Sequence, residues 1–150
     1  MSIVSKPPPK GWPRLSVSVH YTNATKAIAF LEKAFGFECQ LKVDGEGGTV
    51  VHSELIFGEA MIMLGDATPD KNRPWQQSPN QVGGANTQTC CLFVDNCDEH
   101  CERARAAGAT IAMEPKTSDY GDDYWSDRTY EAIDHEGHHW WFMQRLREKA

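Results

Sequence analysis

The chain has 150 residues and a formal net charge of -6, with no run of lysine or arginine. A chain of this length buries roughly 70% of its unfolded surface, which is enough for one domain with its own core. The acidic charge argues against a nucleic-acid-binding protein, which needs a basic face for phosphates, and no apolar run approaches the roughly 18 residues of a membrane span.

The cysteines and the N-terminal sequence bear on the cellular compartment. The cysteines number five, none has CxxC spacing, and the start of the chain lacks the apolar stretch of a signal peptide. We therefore expect reduced thiols and a cytoplasmic location. Cys97 and Cys101 flank His100, as zinc ligands would. They also share one apolar helix stripe with Ala104, so we interpret them as packing residues.

The first half of the chain predicts a βαβββ module, residues 14–65, after an extended arm, residues 1–13, with three consecutive prolines. The strand-like run LSVSVHY precedes a helix that begins at a capping residue, Asn23, and ends at a glycine, Gly36. Three strand-like runs follow, FECQLKV, VVHSELIF and AMIMLG, with a tight turn before the last one.

The second half repeats this order after residues 66–86, whose Pro, Gly, Asn and Gln content is typical of a linker. In the second module, residues 87–146, the run TQTCCLFV precedes a helix from Asp95 to Gly108, and TIAMEP, RTYEAI and HHWWFMQ follow. Cap and glycine are thirteen residues apart in both halves. The sequence therefore predicts a single domain, residues 1–150, that contains two βαβββ modules.

This layout resembles the vicinal oxygen chelate superfamily, the glyoxalase, bleomycin-resistance and dioxygenase group. The resemblance lies in AIAFLEKAFGFE, HSELIFGEAMIMLGD, RARAAGA and DHEGHHWWF and covers about residues 14 to 146. It is strongest to the uncharacterised glyoxalase-like branch related to PhnB. The resemblance implies an α+β fold in which the two modules form a curled mixed sheet, a cup, and it implies a homodimer.

The resemblance also implies where a metal would bind in the cup. The ligand positions on the first and last strand of each module fall at Ser16, Met63, Thr89 and Trp141. These side chains do not form a divalent metal site, which needs about three strong nitrogen or oxygen ligands. We therefore predict no metal and no cofactor.

Strand alternation assigns the lining of the cup. On the first strand Val17, Val19 and Tyr21 are apolar and should face the helix, so the polar residues between them should face the cup. The run VVHSELIF is mixed on both faces, which makes its assignment weaker. The predicted lining is Ser16, Ser18, His20, His52, Glu54, Met61, Met63, Thr89, Cys91, Phe93, His139 and Trp141.

The predicted lining is aromatic and thioether with scattered polar groups, which is typical of a small-molecule site. The same residues could instead fill the cup as ordinary core. A buried Glu54 needs a partner, and we expect a pair with His20 or His52, which could also act as an acid–base pair.

The segment DHEGHHWWF, residues 134–142, holds three histidines and two tryptophans. If Trp141 faces the cup, so does His139, whereas Trp140 packs on the helix layer and the three histidines do not converge. We interpret the segment as a turn followed by an aromatic core strand. Proton transfer by His139 and a metal site are the alternatives.

The segment TSDYGDDYWSDRTY, residues 117–130, is predicted as a loop that could close over a ligand, with Trp125 and Arg128 in the site. Arg128 could hold an anionic ligand group or pair with the neighbouring Asp127, and we favour the salt bridge.

Three functions are compatible with the sequence. The first is a metal-free protein that binds a small molecule, an aromatic or cationic antibiotic or metabolite. The second is a lyase, isomerase or dioxygenase of the glyoxalase superfamily with non-standard catalytic residues. The third is a regulatory or interaction domain with a filled cup. Because the missing metal ligands favour the first function, we predict a small-molecule ligand. The resemblance implies a homodimer, and the charge and hydropathy of the chain predict neither nucleic acid nor membrane as partners.

Overall fold

A computed structural model describes residues 3–68 and 72–150. Met1, Ser2 and residues 69–71, which belong to the predicted arm and linker, lie outside the described residues. Within the described residues, two short 3-10 turns, Glu46–Gly48 and Pro79–Gln81, accompany ten regular elements. These are β1 (Val17–Tyr21), α1 (Ala24–Phe35), β2 (Glu38–Asp44), β3 (Val50–Phe57), β4 (Ala60–Asp66), β5 (Cys90–Phe93), α2 (Cys97–Ala106), β6 (Thr110–Asp119), β7 (Ser126–Ile133) and β8 (His139–Arg147).

The strands form two four-stranded mixed sheets with the same topology, β1-β4-β3-β2 and β5-β8-β7-β6. The first strand of each module runs parallel to the last, and the other neighbours are antiparallel. This is the predicted α+β fold of two βαβββ modules. Within the described ranges the two sheets stay separate and do not close into one cup. No helix in these ranges is long and apolar enough to cross a membrane.

The helix boundaries follow from capping. Asn23 caps α1, because its side-chain oxygen accepts the Lys26 N–H at 3.0 Å, and Gly36 ends it in the left-handed region at φ 84°. For α2 the predicted cap, Asp95, is wrong by one residue. Asn96 is the cap, and its side chain accepts the Glu99 N–H at 3.1 Å.

The predicted loop of residues 117–130 is largely a hairpin. β6 continues to Asp119 and β7 begins at Ser126, so the connection is confined to residues 120–125. The Tyr120 N–H donates to the Trp125 carbonyl at 3.0 Å and closes this end. Antiparallel pairing thus holds most of a segment that we predicted as a loop able to close over a ligand.

The helix-facing sides of both sheets share one core. Phe35, at the end of α1, packs on Trp140 and Phe142 of β8 with ring centroids 5.6 and 4.8 Å away. The ring centroid of His100 in α2 lies 6.2 Å from that of Phe57 in β3. Since both sheets turn their helix sides towards this common core, their opposite faces point away from each other. We call these opposite faces the outer faces.

Candidate functional site

The outer face of the first module begins at β1. Val19 and Tyr21 are buried on the helix side, whereas Ser18 and His20 remain accessible on the outer side. In the parallel register Ser18 lies beside Met63 of β4. Burial lowers the pKa of His20, and the neighbouring His138 lowers it further. His20 is therefore neutral on this face at neutral pH.

A buried carboxylate forms the polar centre of this outer face. Glu54 on β3 is 8% exposed, and its two oxygens lie 3.2 Å from the Gln40 amide nitrogen and 3.2 Å from His52 Nε2. Ser53 and Leu55 lie on the opposite side and are fully buried. The partner of Glu54 is thus His52 and not His20. Gln40 also contacts Glu54, and it was not predicted from the sequence as a site residue.

An open hollow of about 400 Å³ lies on the same face. Ser18, His20, His52 and Met63 line it together with the linker residue Gln76. At the other end of the face, the N-terminal arm lies against the sheet. Trp12 of the arm shares a second hollow with Ile56 and Met61, and Met61 is only 3% exposed.

The outer face of the second module is aromatic and more open. Trp141 and Met143 of β8 are half-buried beside Cys91 and Phe93 of β5, and Phe93 is 55% exposed. Trp140 and Phe142, which alternate with them, are buried against the helices. Trp141 therefore lies on the face predicted for it.

A second glutamate–histidine pair lies on this face. His139 Nδ1 is 2.5 Å from a carboxylate oxygen of Glu131, and Glu131 is the direct cross-strand neighbour of Trp141. Glu131 was missed in the sequence because RTYEAI gave no reason to choose one polar residue over another. Its alternation with the apolar Tyr130 and Ala132 was the available signal.

The predicted site is thus divided between two surfaces. One carries Ser16, Ser18, His20, His52, Glu54, Met61 and Met63, and the other carries Thr89, Cys91, Phe93, His139 and Trp141. Within the described residues neither hollow on the first outer face includes a side chain from the second module. The described residues of one chain therefore do not form the single cup expected from the sequence.

Arg128 requires a correction. It lies on the helix side of β7, where its guanidinium binds Asp98 of α2 at 2.7 and 2.8 Å and Thr117 at 3.1 Å. The predicted partner, Asp127, lies on the other side of β7 and pairs with Arg145 at 2.6 Å. Arg128 therefore joins a helix to the sheet and does not line the outer face.

Trp125 is partly exposed at the end of the β6–β7 hairpin. The Arg145 guanidinium stacks over its ring at 5.1 Å and over the Phe93 ring at 5.2 Å. Trp125 therefore extends the aromatic outer face of the second module through Arg145.

The histidine-rich segment is an intermodule clamp. Asp134 is buried, and one carboxylate oxygen accepts the Tyr21 hydroxyl at 2.6 Å and the Trp140 indole N–H at 3.0 Å. Its other oxygen accepts the backbone N–H groups of Glu136 and His138. Gly137, at φ 97°, allows the tight turn between them.

Glu136 completes this clamp at the start of α1. Its carboxylate accepts N–H groups from Thr22 at 2.7 Å and from Asn23 at 3.1 Å. Burial raises the pKa of Glu136, but these hydrogen bonds outweigh burial and hold the pKa below its usual value. His138 Nε2 lies 2.7 Å from the His20 carbonyl and donates to it. Residues 134–138 of the segment therefore join the two modules, whereas His139 and Trp141 lie beside Glu131 on the outer face of the second module.

The potential metal ligands are dispersed. No group of three or more His, Cys, Asp or Glu is placed to hold a metal ion in the part of the chain that the structure describes. Cys97 and Cys101 are buried in α2, and burial raises the pKa of the Cys97 thiol to about 11. This environment suits the packing role inferred for them.

Comparisons with known proteins agree with the fold. Residues 16–142 match the model of the Glyoxalase/Bleomycin resistance protein/Dioxygenase superfamily. An uncharacterised protein of Mycobacterium bovis is 32% identical over 136 residues, which cover 91% of this chain and 86% of that protein.

Similar crystal structures include TioX and TnmS3. TioX from Micromonospora sp. ML1 has a TM-score of 0.66 and 28% identity, with 89% of this chain and 99% of that chain covered. TnmS3, an antibiotic binding protein from Streptomyces sp. CB03234, has a TM-score of 0.62 and 19% identity, with 90% and 98% covered. The chain therefore belongs to the glyoxalase/bleomycin resistance protein/dioxygenase superfamily.

Proposed function

We propose that the protein is a metal-free small-molecule-binding protein, with an antibiotic or a metabolite as its ligand. The observation that carries this proposal is the outer face of the second module. Trp141, Met143 and Phe93 remain partly exposed there beside a glutamate–histidine pair. Aromatic and thioether surface with a few placed polar groups is the usual composition of a ligand site.

The proposal includes a homodimer. Each outer face is half of a cup, and the two halves of one chain point in opposite directions. In the dimer, the second module of one copy covers the first module of the other copy. Because this occurs twice, two complete cups are formed. Covering the exposed Phe93 and the half-buried Trp141 would remove apolar surface from water and favour this association.

The relatives support the proposal without identifying the ligand. The fold is the one that TnmS3, an antibiotic binding protein, also has. We further propose membership of the PhnB-related glyoxalase-like branch, a cytoplasmic location, and one domain with modules at residues 14–65 and 87–146.

Ligand screening with two matched variants tests the proposal. Tryptophan fluorescence titrations with a library of aromatic antibiotics and metabolites should yield ligands whose affinity falls at least roughly tenfold in Trp141→Leu, about 1.4 kcal/mol. Leu146→Ala, on the same strand but on the other side, should leave the affinity unchanged. Ligands that bind Trp141→Leu as well as the unmodified protein would contradict the proposal.

Two further measurements separate the alternatives. Sedimentation equilibrium at micromolar concentration should give the mass of a dimer, and a monomer mass would contradict the shared cup. Mass spectrometry of each ligand after incubation should return it unchanged. Conversion of the ligand would instead establish the lyase, isomerase or dioxygenase alternative.

A further inference from the structure

Glu54 and Glu131 occupy equivalent positions in the two modules. Ser18 lies five residues before the cap of α1, and Cys91 lies five residues before the cap of α2. Ser18 pairs with Met63 and Cys91 pairs with Trp141. The next strand then places Glu54 beside Met63, and Glu131 beside Trp141. Each outer face therefore carries one glutamate at the same point of the repeated sheet.

Each of these glutamates is held by a histidine from its own outer face. His52 comes from the same strand as Glu54, whereas His139 comes from the strand next to Glu131. The two modules thus reach the same local arrangement through different sequence positions. An arrangement that recurs in this way is not explained by the repeat of the fold alone.

Each glutamate is paired with a histidine. Among residues 3–68 and 72–150, the ion pairs of Glu54 and Glu131 are with histidine and not with lysine or arginine. Asp127 also lies on the outer side of β7. By contrast, its carboxylate is paired with an arginine, since Arg145 Nε lies 2.6 Å from Asp127 Oδ1. Among the described residues, Asp127 is therefore paired with an arginine, whereas the two equivalent glutamates are paired with histidines.

A carboxylate that is removed from water needs a compensating charge or several hydrogen bonds. A second copy that covers the outer faces would remove more water from Glu54 and Glu131. Trp141 lies directly across from Glu131, so a cation bound there would also contact the face of an indole ring. Both features favour a positively charged ligand group over a neutral one.

We propose that the cup binds a flat aromatic molecule with a positively charged nitrogen group at each end. Glu54 from one copy binds one group, and Glu131 from the other copy binds the second group. The two histidines orient the carboxylates, and Trp141 stacks on the aromatic ring. This inference rests on the proposed function and names the chemical class of its ligand.

The test uses two fluorescent probes that differ only in charge. DAPI is a flat phenylindole with an amidinium group at each end, and phenylindole is the same ring system without those groups. The full chain should bind DAPI at least about tenfold more tightly than phenylindole, since charge-assisted hydrogen bonds are roughly twice as strong as neutral ones. Glu54→Gln and Glu131→Gln should each weaken DAPI binding by roughly tenfold and leave phenylindole binding within about twofold.

Glu102→Gln is the charge-matched control, because Glu102 lies exposed on α2 away from both outer faces. It should leave the affinity for DAPI unchanged. If a glutamine variant fails to fold, the unmodified protein decides the matter, since added salt should weaken the binding of DAPI and not of phenylindole.

The outcomes separate this inference from the proposed function. Equal affinities for the two probes, or equal losses of both in the glutamine variants, would overturn the inference and leave an aromatic binding site in place. Absence of binding for both probes would overturn the inference and would also count against the proposed function.

Discussion

The two outer faces share a topology and differ in chemistry. The first has a nearly buried carboxylate, an open hollow and an arm lying against one end. The second presents an exposed Phe93 and the half-buried Trp141 and Met143. On the helix sides, by contrast, both sheets present buried apolar residues. The helix sides must be apolar because they pack in the shared core. The outer faces do not pack there, so their residues can differ between the modules.

The largest expected difference between a helix side and an outer face is at two adjacent tryptophans of β8, Trp140 and Trp141. Trp140 is 1% exposed and donates to Asp134, whereas Trp141 lies on the outer face. Trp140→Ala should lower the free energy of unfolding by about 3–5 kcal/mol, as is typical of a buried aromatic side chain. Trp141→Ala should cost clearly less in urea denaturation. A larger loss at Trp141 would show that the two faces of β8 are assigned the wrong way round.

The second largest loss of stability should come from changing Asp134 in the clamp between the modules. Asp134→Asn replaces a carboxylate that accepts donors from Tyr21, Trp140 and the backbone. Because the new amide places donors against donors, we expect a loss of about 2–3 kcal/mol in the free energy of unfolding. Asp123→Asn, in the exposed connection between β6 and β7, should change stability little. Equal effects of the two variants would argue against the clamp.

The arm distinguishes the two outer faces and can be removed. A chain that begins at Arg14 lacks Trp12 and should expose Met61, with a loss of about 1–2 kcal/mol from the lost apolar burial. Hydrogen exchange should become faster in β3 and β4 and stay unchanged in β7 and β8. Uniform acceleration across both sheets would mean that the arm does not act on the first outer face alone.

Acidification should lower the stability of the folded chain gradually, and this is the smallest of the expected effects. Burial is the main reason that the pKa values of His20, His100 and His135 fall below their ordinary 6.5. The unfolded chain therefore binds more protons than the folded chain as the pH falls below about 6.5. Stability is fully present above that pH and declines below it. His100→Gln should flatten this decline in urea titrations between pH 7 and pH 5, and an unchanged slope would exclude His100 as a contributor.

His100 illustrates why the helix sides are more sensitive than the outer faces. Its Nε2 lies 2.8 Å from the Phe35 carbonyl and donates to it, so Nδ1 accepts the Tyr130 hydroxyl at 2.6 Å. One neutral tautomer satisfies both contacts, which join α2 to α1 and to β7. If the His100 ring were protonated, Nδ1 would carry a proton and could no longer accept the Tyr130 hydroxyl.

Much of the fold was predictable because its signals are local. Caps at Asn23 and Gly36 and the alternation of Val19 and Tyr21 with polar neighbours place α1 and β1 within a few residues. The error at Asp95 arose because Asn96 is an equally good capping residue. On β3 the mixed pattern arose because Ser53 is buried on the helix side, where its hydroxyl donates to the Leu64 carbonyl at 2.7 Å.

The site was predicted only in part because it depends on packing between distant elements. The partner of Arg128 is Asp98, thirty residues away on α2, and alternation along β7 cannot identify it. The separation of the two halves of the cup depends on how α1 and Phe35 pack against β8. Neither relation has a signature in a single strand or helix.

The clamp has a consequence for how the chain can be divided. Tyr21, Thr22 and His20 bind the Asp134–His138 turn through side-chain and backbone groups that do not involve the peptide connection between the modules. A chain cut before Asn72 should therefore yield two fragments that find each other and restore one structure. We expect the two fragments to act as a complementation pair, in which each fragment supplies one of the two outer faces.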